Sequence, residues 1–148
     1  MYEVEFFMKA FKSQGEIEAA VCDAVSRFQQ KYMGRGPQHI KSHLIDNKLF
    51  VHLQGVLTAA EQSLIHPNGN GNGNGNGRGA ELLKQFRSHL VLAGKVMLDA
   101  LVYNATGTQP VSVHHDINLT TGEEVLVFTL AAAPQCRSQG VPQDRRQR

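Results

Sequence analysis

Apolar residues recur at helical spacing near the start of the chain, at Ile17, Val21, Ala24, Val25, Phe28 and Tyr32. Side chains three and four positions apart share one helix face, so this run predicts an amphipathic helix packed on a core. It opens on Ser13-Gln14-Gly15-Glu16, a capping box in which a hydroxyl accepts from an orphan amide and a carboxylate reaches back. It closes at Gly34, because Gly36-Pro37 cannot continue a helix. Burying such a face contributes about 1.5–3 kcal/mol per large side chain before the entropy cost.

The period then changes from helical to alternating. Ile40, Ser42 and Leu44 alternate with His39, Lys41 and His43; after Asp46-Asn47, Leu49, Val51 and Leu53 alternate with Phe50, His52 and Gln54. A two-residue turn at Asp46-Asn47 pairs Leu44 with Leu49 and Ile40 with Leu53, which puts the apolar sets on one face. His39, Lys41, His43, Phe50 and His52 then share the other. Thr58-Ala59-Ala60-Glu61 is a second capping box, opening a short helix that reaches about His66 before Pro67 stops it.

Asn-Gly pairs fill residues 68–77. One such pair makes a tight turn, but a series of them makes a flexible linker, expected over 67–79. Beyond it the spacing predicts one long helix from about Ala80 to Ala105, with Leu83, Phe86, Leu90, Met97 and Leu101 as its stripe and Gly107 as its cap. A second hairpin follows. Val111, Val113, His115 and Ile117 alternate with Ser112, His114, Asp116 and Asn118; Thr120-Thr121-Gly122 turns the chain, and Glu124 to Leu130 returns. Residues 134–148 are polar, lack periodicity and read as a disordered basic tail.

The order predicts an α+β fold of two helix–β-hairpin halves, forming a four-stranded antiparallel sheet with helices packed on one face. Residues 13–133 make a single domain, preceded by an N-terminal extension at 1–12. A small sheet covered on one face leaves its edges or its second face free, so a homodimer is expected.

Composition adds limits. The chain has 148 residues, 41% of them hydrophobic and 19% charged, which are globular values. A formal charge of +2 is too small to argue for nucleic acid. The two cysteines, Cys22 and Cys136, form no metal spacing or disulfide framework, as expected of a reducing, cytoplasmic setting. The longest apolar stretch is about nine residues near Val125 to Ala133, where a membrane span needs ~20. Any membrane role is therefore expected to be peripheral.

Candidate chemistry is sparse. Lys41 lies between His39 and His43, and a cation there opposes a metal, so no metal site or cofactor is expected. His114 and His115 point to opposite faces of a strand and cannot chelate together. His114 and Asp116 share a face, where they could form a pair; His115, on the apolar face, reads as a partly buried, hydrogen-bonded histidine. Cys22 has no visible activator, and no catalytic residues are expected. Gly34-Arg35-Gly36-Pro37 reads first as a helix stop. Its second reading is a small-anion site of exposed amides and the Arg35 guanidinium. Gly34 and Gly36 are one residue apart, unlike the clamp of single-strand RNA binders, and no aromatic-rich strand offers a stacking platform. Nucleic-acid binding is thus at most a weak electrostatic attraction to the basic residues.

The run Phe28-x3-Tyr32-x-Gly34-Arg35-Gly36-Pro37, then Leu53-x-Gly55-x-Leu57-Thr58-x2-Glu61, then Gly107, Asp116, Gly122 and Val127-Phe128 resembles the MpsC-like family of small bacterial proteins. The resemblance covers roughly Gly15 to Leu130; its most specific parts are Gly-Arg-Gly-Pro and Gly-x-Leu-Thr-x2-Glu. The Asn-Gly tract departs from the family as an insertion where a short connection is usual. The family's name refers to a sodium-translocating, membrane-potential-generating system, and such systems are linked to cation movement and inorganic-carbon supply. The resemblance implies a soluble accessory subunit peripheral to a membrane transport complex, and it carries over no catalytic residue. Arg35, Gly34, Gly36, Pro37, His39, Lys41 and His43 are the candidate contacts for a partner or an anion. Tyr32, Gly55, Leu57, Thr58, Glu61, Asp116 and Phe128 are the motif positions, candidates for fold or interface. The alternative is a small-anion or ligand-binding regulatory module.

Overall fold

The computed structural model describes residues 11–65 and 78–137. The Asn-Gly tract, most of the N-terminal extension and the end of the tail lie outside those residues. Among the described residues eight elements follow one another: α1 (Gln14–Met33), β1 (His39–Ile45), β2 (Lys48–Gln54), α2 (Ala59–Ile65), α3 (Arg78–Ala93), α4 (Lys95–Thr106), β3 (Pro110–Asn118) and β4 (Glu123–Leu130).

Both caps of α1 are local. The Glu16 amide donates to Ser13 Oγ at 3.2 Å, and the Ser13 hydroxyl donates to the Glu16 carboxylate. Gly34 ends the helix at φ 79°, a left-handed conformation that costs glycine nothing and other residues about 1 kcal/mol or more. Ile17, Val21, Ala24, Val25 and Phe28 are buried, as the periodicity requires.

The four strands form one antiparallel sheet in the order β1-β2-β4-β3. The first hairpin has the expected register, Leu44 opposite Leu49 and Ile40 opposite Leu53. The two hairpins join through β2 and β4, with Val51 opposite Leu126 and Leu49 opposite Phe128. Leu49, Val51, Leu53, Leu126, Phe128 and Leu130 therefore fill one face and bury it under the helices. The β1 edge is partly closed by α1: the Leu44 amide donates to Glu18 Oε2, and the Gln14 side-chain amide donates to the Leu44 carbonyl. Satisfying edge groups in this way removes a template for strand pairing.

Several expectations are corrected. The long helix is two, because it is interrupted at Gly94. A Cβ there would stand 2.5 Å from Phe28 Cε2, so the close approach of α1 demands glycine. The stripe is also different: Leu83, Arg87, Val91, Leu98 and Val102 are buried, whereas Phe86 is 56% exposed. Arg87 occupies a core position that polarity argued against. Val111 leaves the apolar face, because an irregularity between Pro110 and Ser112 shifts the register at the start of β3. Finally, the chain is held past Pro134. The Arg137 amide donates to the Lys12 carbonyl, and its guanidinium donates to Glu16.

Candidate functional site

Two motif segments meet at the C-terminal end of α1. After Gly34, Arg35 turns back and its Nη1 donates to the Leu57 carbonyl at 3.1 Å. Gly55 turns the chain out of β2 at φ 66°, and Leu57 is buried. Thr58 then caps α2 reciprocally: its amide donates to Glu61 Oε1, and the Glu61 amide donates to Thr58 Oγ1. Arg35 thus joins Gly34-Arg35-Gly36-Pro37 to Gly55-x-Leu57-Thr58-x2-Glu61. Tyr32, one turn earlier, stacks on Phe28 at a centroid distance of 4.9 Å.

Glu61 also reaches inward. Its Oε2 accepts from Arg87 Nη1 at 2.7 Å, and Arg87 Nη2 donates to Glu124 Oε2 at 2.7 Å. Glu124 Oε1 accepts from the Gln29 side-chain amide at 2.9 Å and faces His115 Nε2 at 3.0 Å. Arg87, Glu124 and Gln29 are fully buried, and these contacts tie α1, α2, α3, β3 and β4 at one point. Burial by itself raises a carboxylic acid's pKa. The His115 hydrogen bond and the Arg87 charge outweigh it and hold Glu124 below the usual carboxylate range. Burial likewise opposes the Arg87 charge, but Glu124 and Glu61 overcome it and raise the guanidinium's pKa.

The chemistry of this cluster is that of a lock. Ser88 Oγ lies 3.5 Å from His115 Nδ1, so Ser88, His115 and Glu124 stand in a row. That distance is at the limit for a hydrogen bond, and Glu124 is already neutralised by Arg87.

The sheet face turned away from the helices is open. Phe50, 40% exposed, lies between His43 on β1 and Val127 on β4; Lys41 stands opposite His52, which stands opposite Val125. His39, Lys41 and His43 are exposed along the outer strand. His52 Nε2 contacts Glu123 at 2.9 Å. His114 shares this face, and Asp116 pairs with Lys84 at 3.2 Å. A backbone hydrogen bond at Ile117, reinforced by Lys84, lowers the Asp116 pKa. Among the described residues no group of three or more His, Cys, Asp or Glu side chains is placed to hold a metal ion. Arg35 is engaged at the α1 exit by its bond to the Leu57 carbonyl, while His39, Lys41 and His43 line the outer strand.

The signal for the buried cluster lay in polar residues at core positions. Arg87 falls four residues from both Leu83 and Val91, Gln29 four from Val25, and Glu124 alternates with Leu126, Phe128 and Leu130. Opposite charges at core positions of separate elements invite a pairing. His115 is half of that signal and is found as expected, largely buried and hydrogen-bonded.

The chain is 33% identical over 119 residues to the uncharacterized protein YbcI of Bacillus subtilis (strain 168), an alignment covering 80% of this chain and 89% of that protein. No solved structure matches. The family model described as "Na+-translocating membrane potential-generating system (MpsC)" matches residues 13–132, a span holding both capping boxes, the motif segments and all four strands, and the chain belongs to that family.

Proposed function

We propose that this chain is a non-catalytic accessory subunit that docks on a membrane-embedded cation-translocating system. The observation that carries this reading is the family match over residues 13–132, whose description names a Na+-translocating system. Among the described residues no helix is long and apolar enough to cross a membrane. An accessory subunit of this kind contributes a surface for its partner. The open sheet face fits that role, since an apolar centre of Phe50, Val125 and Val127 is flanked by Lys41, His39 and His43. Exposed apolar patches rimmed by polar residues mark interaction sites. The partner surface complementary to it is apolar with an acidic border.

The test is affinity capture of the tagged full chain from solubilised native membranes, with the retained proteins identified. The expected result is recovery of an integral-membrane cation-transport protein. Lys41→Glu combined with Phe50→Glu lowers that recovery while leaving the far-UV circular dichroism unchanged. Recovery of no such protein, or recovery indifferent to the two substitutions, overturns the proposal.

A further inference from the structure

Helices α3 and α4 carry a second apolar stripe. Leu82, Phe86, His89, Ala93, Val96, Ala100 and Tyr103 follow one another at alternating intervals of four and three, and every one of them is exposed. At 100° per residue this stripe lies nearly opposite Leu83, Arg87, Val91, Leu98 and Val102, which face the core. It therefore points away from the sheet. Helical hydrogen bonds run across the interruption at Gly94, from Gly94 N to the Leu90 carbonyl and from Leu98 N to the Gly94 carbonyl. The stripe is thus continuous over both helices. Val96 is 86% exposed, Leu82 62%, Leu92 beside the stripe 63%, and Tyr103 43%.

We propose that this stripe is the seam of an antiparallel homodimer, in which α3–α4 of one copy packs on α3–α4 of a second. The interval is that of a coiled-coil seam, whose partner is another helix pair of the same period. Between Leu82 and Tyr103 the charged residues, Lys84, Arg87, Lys95 and Asp99, all lie off the stripe, and Arg78 and Glu81 precede its first member. Charge depletion of this kind distinguishes interface centres from ordinary surface. The order of sizes selects the direction. In the antiparallel arrangement, positions summing to ~182 meet, because a and d layers alternate across the dyad. Leu82 then faces Ala100, Phe86 faces Val96, and His89 faces Ala93, so each larger side chain of the first half meets a smaller one of the second. A parallel pair would stack Phe86 on Phe86 and Ala93 on Ala93, crowding one layer and emptying another. Five large apolar side chains, Leu82, Phe86, Leu92, Val96 and Tyr103, stand in solvent along the two helices, a basis for the ~800 Å² per partner of a stable interface. The contact is isologous and closes on itself, so it ends at two copies. It leaves the open sheet face of each copy outward, and it stands or falls independently of the docking function.

Sedimentation equilibrium of the full chain tests it. The expected species has twice the 16.3 kDa chain mass at about 50 µM, a concentration at which a micromolar Kd gives mostly dimer. Phe86→Glu with Val96→Glu raises the Kd by about 100-fold or more, with unchanged circular dichroism, because four carboxylates then enter one apolar seam. Direction is read by cross-linking in a Cys22→Ser, Cys136→Ser background. Phe86→Cys together with Val96→Cys yields a covalent dimer on mild oxidation, and neither substitution alone does. A monomeric full chain overturns the proposal and leaves the seam to an unlike partner. A dimer that survives the double glutamate variant places the contact elsewhere and overturns it equally. Cross-linking by either single cysteine variant shows a parallel pair and overturns the antiparallel arrangement.

Discussion

Glu123 and Glu124 are neighbours on β4, yet they lie on opposite faces of the sheet and have opposite physical lives. Each carboxylate meets a histidine from an adjacent strand, Glu123 meeting His52 at 2.9 Å and Glu124 meeting His115 at 3.0 Å. The outer pair is partly solvated. The inner one is sealed and also bound by Arg87 and Gln29. Both carboxyl pKa values are lowered, by different balances. For Glu123 the hydrogen bond from His52 leads, helped by Thr121. For Glu124 a large burial penalty is overcome by His115 and Arg87 together. The same pair of side chains is thus an adjustable surface contact on one face and an obligatory lock on the other. What differs is access to water, which screens one pair and is denied to the other.

The sharpest way to break this comparison is Arg87→Met. It leaves Glu124 buried with its main counter-charge gone, and unfolding in urea is expected to show a loss of about 3–5 kcal/mol. Arg87→Met combined with Glu124→Gln recovers part of that loss, because the fully buried carboxylate is gone, and the recovery stays incomplete because Glu61 has also lost Arg87. A single Glu124→Gln costs less, about 2 kcal/mol, since the amide keeps some of the hydrogen bonds while Arg87 retains Glu61.

Next in size is the pH dependence. The Glu124 pKa lies below its ordinary 4.5, so the unfolded chain takes up a proton before the folded one does. Its contribution is therefore fully present above about pH 4.5 and is lost as pH falls through the lower folded value. Thermal midpoints measured from pH 7 down to pH 3 are expected to hold and then drop, and Glu124→Gln flattens that drop. Glu123→Gln is expected to leave the urea midpoint unmoved at pH 7. A large effect there would mean that the outer pair is part of the lock, and the contrast between faces would fail.

Much of the fold is legible in the sequence. The period of α1, the register of the first hairpin and the capping boxes at Ser13 and Thr58 all follow from neighbours within a few residues. The open face bearing His39, Lys41, His43 and Phe50 follows from alternation alone. The buried cluster is only half legible. His115 can be placed on the inner face by counting, but Arg87 cannot be assigned to a core, because its pairing partners lie 26 and 37 residues away. Local apolar spacing puts the helix stripe on Phe86, which the fold leaves in solvent.

The sequence by itself determined the alternation of helical and hairpin segments, the faces of the strands apart from Val111, and the helix stops at Gly34 and Gly107. Those properties arise from local sterics, capping and periodicity, which a stretch of ten or twenty residues already specifies. Tertiary structure alone decided the strand order β1-β2-β4-β3, the interruption at Gly94 where α1 presses close, and the joining of the two motif segments by Arg35 and Leu57. It also decided that Arg87 is buried. A charge in a core is tolerable only where distant residues converge to neutralise it, and that convergence exists only once the chain has folded.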